Sequence, residues 1–170
     1  MKFNKTIISL SVMSLLTAAI VSIGFSKASV FNAEAAQSIA AAYVPYTSQA
    51  AGIEDQPEDY AVHFLDGDVA YTVKVDKVHE NAASVQTVYR SNSYGSTVGL
   101  NENNIREIIQ HSVPDARIES AALQSVNDQK YYEVVYDTST THTTVHLNAQ
   151  NGNTIDRTTE YNSQDNAYTR

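Results

Sequence analysis

The chain has 170 residues, 11 basic against 19 acidic, and no cysteine. A formal net charge of −8 repels phosphate backbones, which excludes nucleic acid as a natural partner. Without cysteine there are no disulfides, no thiolate chemistry and no cysteine-borne lipid anchor, so the fold must be held by an apolar core.

Lys2 and Lys5 form a short basic start, followed by 20 uncharged, mostly apolar residues from Thr6 to Phe25. Ala33-Glu34-Ala35 then has the small-x-small form of a signal-peptidase site, and Ser26-Lys27-Ala28 is an earlier candidate. The expectation is a cleaved signal peptide over residues 1–35. The competing reading is an uncleaved anchor, since roughly 20 apolar residues span a bilayer. An anchor of that kind would be the chain's one contact with a membrane. Removal of residues 1–35 leaves 8 basic against 18 acidic residues, a net charge of −10. A cysteine-free, acidic, exported chain fits a Gram-positive bacterium, as a secreted protein or one of the extracellular envelope.

Residues 35–51 are rich in alanine, with Ile39 and Tyr43 four apart, and read as a helix ended by Pro45. Residues 52–59 hold Glu54, Asp55, Glu58 and Asp59 around Pro57 and read as an acidic loop. Calcium would suit carboxylates, but the alternating Asp ligand pattern of a calcium loop is missing, so a solvated acidic face is expected. Two alternating runs, 60–65 and 68–76, flank Asp66-Gly67, a hairpin signal of the type I′ kind. A two-residue loop at 66 and 67 would set Phe64 opposite Val69, Val62 opposite Tyr71 and Tyr60 opposite Val73. Residues 84–89 can form another strand, and the Gly/Ser-rich residues 91–101 read as a linker.

Residues 102–112 carry Ile105, Ile108 and Ile109 at helical spacing, with a cap available from Asn101, Asn103 or Asn104 and a stop at Pro114. Residues 116–126 read as a strand whose broken alternation suggests a bulge. Asn127-Asp128 turns into a strand with Tyr132, Val134 and Tyr136 on one face. Thr143, Val145 and Leu147 face inward from the next strand, and a last strand begins near Thr154. Residues 161–170 read as a polar tail.

Tyr60, Val62 and Phe64 match Tyr132, Val134 and Tyr136 at an offset of 72, and Tyr71, Val73 and Val75 match Thr143, Val145 and Leu147. The expected fold is therefore α+β, with two repeated units at 36–90 and 102–160, each an α-helix packed on an antiparallel β-sheet. In the second unit three stretches stand out: Ile105-x-x-Ile108-Ile109-x3-Val113-Pro114-x-Ala116-x-Ile118, then Tyr131-Tyr132-Glu133-Val134-Val135-Tyr136, then Val145-x-Leu147-Asn148-Ala149-Gln150-Asn151-Gly152. This pattern resembles the PepSY domain, and residues 37–90 resemble a degenerate copy. Asn148 stands where the family has Asp, Asn151 where it has Thr, and Asp115 where Gly is frequent. The resemblance implies an exported module without catalytic residues that binds a secreted peptidase, or another cell-surface protein, and regulates or inhibits it. The alternative is a structural or wall-binding protein of the cell envelope.

His142-x3-His146 has the spacing of a metal pair on a helix, but on a strand four residues put the side chains ~13 Å apart, too far for one ion. No nucleophile elbow, phosphate loop or dinucleotide fingerprint is present. The expectation is no enzyme activity, no cofactor and no metal. The candidate protein-contact face is Tyr131, Val135, His142 and His146, the outward side of the second hairpin, where an exposed tyrosine sits beside histidines.

Overall fold

Alternating apolar and polar residues make strands, and in the computed structural model this period dominates the chain. The structure describes residues 31–162. Its elements are α1 (Ala33–Ala41), β1 (Gln49–Asp55), β2 (Asp59–Asp66), β3 (Val69–Asp76), β4 (Asn81–Tyr89), α2 (Glu102–Ser112), β5 (Arg117–Val126), β6 (Gln129–Asp137), β7 (Thr141–Asn148) and β8 (Thr154–Tyr161). Residues 1–30, the main part of the expected signal segment, and residues 163–170 of the expected tail lie outside the described residues.

The two expected helix-on-sheet units do not form. All eight strands make one sheet, in the order β1-β2-β3-β4-β8-β7-β6-β5, with every neighbouring pair antiparallel. The joint is β4 against β8, from Ser84↔Glu160 to Val88↔Asp156. The physical reason is the strand edge. A four-stranded meander ending at β4 would leave a row of backbone N–H and C=O groups unpaired, and β8 supplies their partners. The first meander runs β1 to β4. Residues 90–101 and α2 then carry the chain to the far edge, and the second meander returns to the joint.

Both helices cover the same face. Ala36 and Ala40 of α1 pack with Val62, Phe64, Val73, Val75 and Val85. Ile105 and Ile109 of α2 pack with Tyr132, Val134, Tyr136, Val145 and Leu147. Val85 is opposite Thr159, and Thr159 is opposite Thr143, which shares its face with Val145. The inward sides of the two meanders are therefore one surface.

Several boundaries differ from the expectations. α1 starts at Ala33, its first turn closed by Asn32, whose Oδ1 accepts from the Ala35 N–H at 2.9 Å. The ring of Phe31, just before it, lies 5.7 Å from that of Tyr60. The stretch read as alanine-rich helix and acidic loop contains β1, an exposed edge strand whose one inward apolar residue is Ile53. One inward position is too few to leave a period-two signal. The expected linker, residues 91–101, is bound to the sheet. The Asn92 side chain donates to the Thr154 carbonyl at 2.7 Å, Lys130 N–H donates to the Gly95 carbonyl, and Gly99 and Leu100 N–H both reach the Ala149 carbonyl. Tyr161 belongs to β8 rather than the tail, and its ring meets Tyr43 edge-on at 5.1 Å.

The first hairpin is shifted by two residues from the expected register. Asp66 pairs with Val69, so Phe64 faces Tyr71 and Val62 faces Val73. A slip of two preserves the side-chain face, which is why the inward set is unchanged; a slip of one would have inverted it. Gly67 has φ +56°, while Asp68 is not among the positive-φ residues. One positive φ, at the first central position, is the mark of a type II′ rather than a type I′ turn. Open space surrounds a Cβ added at Gly67, so Gly67→Val meets backbone strain alone. We expect a loss of about 1–2 kcal/mol, read as a fall of several degrees in melting temperature; an unchanged value would show that the turn tolerates a β-branched residue.

The broken alternation of β5 is a bulge. Ile118 is opposite Tyr136 and Ser120 is opposite Val135, with Glu119 the extra residue between them. The second unit's helix matches its expected span, and Asn101 and Asn104 cap it reciprocally, at 3.0 and 3.1 Å.

Candidate functional site

With both helices on one side, the opposite side of the sheet has no helical cover among the described residues. Tyr131, Val135, His142 and His146 all lie there, on β6 and β7. The register explains why: they alternate with the buried Tyr132, Val134, Tyr136, Thr143, Val145 and Leu147. All four are half-buried rather than fully exposed.

Register also assembles partners that sequence spacing could not reveal. Glu133, His146 and Asp156 are directly opposed on three adjacent strands. His146 Nδ1 lies 3.0 Å from Asp156 and its Nε2 lies 3.3 Å from Glu133. The Nε2 contact with Glu133 has hydrogen-bond geometry, while the Nδ1 contact with Asp156 is a charge contact by distance. The contact with Asp156 chiefly, and with Glu133 next, raises the His146 pKa against the opposing effect of burial. Tyr131 covers His146 edge-on at 4.9 Å, and Tyr94 in turn meets Tyr131 at 4.9 Å. Tyr94 comes from the segment read as a linker. Its hydroxyl donates to Asp156 at 3.2 Å, and burial first, then the Asp156 charge, pushes its pKa up to about 12.

His142 sits in a second row. Its Nδ1 is 2.7 Å from Asp137, which is opposite it on β6, and Glu160 is opposite it on β8. The Asp137 hydrogen bond raises the His142 pKa, and the same bond depresses that of Asp137. The bulge brings Glu119 to the group, so that one ligand atom from each of Glu119, Asp137 and His142 lies within 4.8 Å of the others. Three such ligands could hold a divalent cation. Arg117 also reaches Asp137, at 3.5 Å, and neutralises the same carboxylate. His142 and His146 share no partner and do not converge on one ion.

In the first meander, Glu54, His63 and Thr72 line up across β1, β2 and β3. His63 Nδ1 is 3.0 Å from Thr72 Oγ1, and its Nε2 is 3.6 Å from Glu54. The order acid, imidazole, hydroxyl is that of a nucleophilic triad. The Thr72 backbone, however, lies in an interior strand paired on both sides, so its neighbouring N–H groups are taken up by the ladders. The ladders of β2 and β4 thus leave β3 itself no free pair of backbone donors of the kind an oxyanion hole uses.

Asn148 replaces the expected Asp and has a use for its amide. Its Nδ2 donates to the Ser93 carbonyl at 2.7 Å while its Oδ1 accepts from the Gln150 and Asn151 N–H groups at 2.8 and 3.2 Å. A carboxylate could accept but not donate, so Asn is the residue that both closes this turn and holds the 91–101 segment.

The signs of these pKa shifts set a pH dependence. His146 and His142 have raised values, so their stabilisation is complete below the unfolded histidine value of about 6.5 and is lost as pH rises through the folded values. Asp137 is depressed, so its contribution is present above the unfolded value of about 3.9 and is lost as pH falls through the folded one. The melting temperature is expected to be highest between about pH 4 and 6.5 and to fall by a few degrees towards pH 9. His146→Gln should flatten the alkaline slope; a wild-type melting temperature that rises over that range would overturn the assignment.

No family model and no curated protein matches this sequence. Solved structures with a weak likeness to this chain include a DUF2874 family protein from Bacteroides uniformis, 14% identical, over 82% of this chain and 94% of that one, with a TM-score of 0.31. A BLIP-like protein from Bacteroides fragilis is 11% identical over 81% and 93%, with a TM-score of 0.33. A candidate lipoprotein from Clostridium difficile is 13% identical over 68% and 84%, with a TM-score of 0.34. At these scores the likeness carries no argument about function. Among the described residues, no helix is long and apolar enough to cross a membrane.

Proposed function

We propose that this protein is an exported, non-catalytic binding module that docks a secreted peptidase and regulates or inhibits it. One observation carries the reading: an eight-stranded sheet with both helices on one face and, among the described residues, no helix on the other. Tyr131, Val135, His142 and His146 lie within that open face, and the carboxylates of Glu119, Glu133, Asp137, Asp156 and Glu160 surround them. A surface of this charge suits a partner with basic residues at its rim. The signal-like N-terminus and the PepSY resemblance of residues 102–158 support an extracytoplasmic setting and a peptidase as the partner.

The test is capture of peptidases from culture supernatant by the tagged chain, followed by proteolysis assays with and without it. Recovery of a peptidase whose rate changes on addition supports the reading, and Tyr131→Ala or Val135→Asp should weaken that capture at least tenfold. If no peptidase is recovered and the chain instead sediments with purified cell wall, the envelope role replaces it.

The position of α1 favours the earlier of the two processing sites. Cleavage after Ala35 would remove Phe31, the Asn32 cap and the first helical turn, whereas cleavage after Ala28 keeps all three. Loss of an Asn cap alone costs about 1 kcal/mol. Mass spectrometry of the exported protein is expected to find Ser29 as its first residue; Ala36 in that position would refute this.

A further inference from the structure

The helix-covered face has a charged residue at its centre. Arg157 lies on β8 opposite Val145 on one side and Thr87 on the other. Those neighbours are 3% and 1% exposed, whereas Arg157 is half-buried, so its stem rises from the floor of the core side. Two other arginines of this protein pair on its surface, Arg106 with Glu102 and Arg117 with Asp137. Among the described residues, no carboxylate lies within 4 Å of Arg157, in a chain with more acids than bases.

Arg157 lines a cleft of about 450 Å³ between the C-terminal end of α1 and strands β3, β4 and β8. Tyr43, Tyr71, Tyr89 and Tyr161 line it together with Thr87, Thr159, Val44 and Pro45. The volume is within the range of small-molecule sites, roughly 300–1,000 Å³. The lining has the same logic: aromatic side chains and one guanidinium, whose fork of N–H donors matches a carboxylate bidentately. The cleft is on the opposite side of the sheet from the docking face, and its argument does not depend on that face.

We propose that this cleft is a binding site for a small organic carboxylate, its carboxylate held by Arg157 and its body lying against the tyrosines. The volume suits a ligand about the size of a dipeptide or a single sugar acid. A peptide C-terminus and a sugar acid share the required chemistry.

The experiment is a titration of the full chain, followed through the Arg157 side-chain N–H and the tyrosine ring signals. Three probes are used: acetyl-Ala-Phe with a free carboxylate, the same peptide as its amide, and glucuronate. One of the two acids is expected to shift these signals saturably, and which one does so identifies the source. The amide should bind at least tenfold more weakly. Arg157→Lys should lose about tenfold, because a point charge replaces the fork, and Arg157→Gln should lose binding altogether. Arg157→Leu separates recognition from folding: it should abolish binding yet keep or raise the melting temperature, since the charge it removes from the core side has no carboxylate partner among the described residues. The proposal is overturned if neither acid binds, if the amide binds as well as the acid, if Arg157→Gln binds normally, or if Arg157→Leu unfolds the protein.

Discussion

Gly152→Val is expected to lower the melting temperature by about 10 °C or more, a loss of about 3–5 kcal/mol combining a left-handed backbone with a steric clash. Gly152 has φ +76° at the β7–β8 turn, where its N–H donates to the Asn148 carbonyl at 2.8 Å. A Cβ there would stand 2.6 Å from Ile108 Cδ1 and 3.1 Å from Leu100 Cδ1. The glycine therefore serves two purposes, closing the turn and letting α2 approach it. A double-mutant cycle divides them. Shortening Ile108 to alanine in a Gly152→Ala background should recover the steric part and leave the strain. Recovery of the whole loss would mean that the positive φ costs nothing, and no recovery would mean that α2 does not press on the turn.

The second large effect concerns Ile105, which is completely buried between α2 and the sheet. Ile105→Ala removes three carbons from a close-packed site and should cost about 2–5 kcal/mol. The one-sheet fold adds a sharper expectation. If β4 and β8 join the halves into one cooperative body, the loss near β6 and β7 must shift the unfolding of the first meander equally. Thermal unfolding followed by far-ultraviolet circular dichroism and by tyrosine fluorescence should give one coincident transition, displaced as a whole. Two transitions, with the variant moving only one, would show that the halves fold separately and that the β4–β8 pairing is weak.

The candidate face was legible as a face and not as a site. Tyr131, Val135, His142 and His146 alternate with buried residues, and that alternation is written in the local sequence. The partners of His146 are Glu133, 13 positions before it, and Asp156, 10 positions after, each placed by strand register rather than by spacing. Tyr94, 52 positions before His146, reaches the group because its segment binds back on the sheet, which its Gly/Ser composition gave no sign of. Arg157 was visible only as one residue of a terminal strand. Its importance comes from Thr87 across the joint and from the tyrosines of β3, β4 and α1's end, none of them near it in sequence. A charged residue at an inward position of a predicted strand was the one available signal.

Sequence by itself determined the span of α2, the bulge in β5 and the inward faces of both central hairpins, and it narrowed the cap of α2 to three asparagines. Each depends on side-chain periodicity or on backbone bonds closed within a few residues, so the information is local. Even the two-residue error in the first hairpin left its face correct, because the strand period is two. Tertiary structure alone decided that β1 is a strand, that the two meanders fuse through β4 and β8, and that both helices lie on one side. It also decided the carboxylates around the histidines and the cleft over Arg157. Those depend on which edge finds which partner, a choice made by satisfying backbone donors and acceptors between distant segments rather than by the preferences of any one of them.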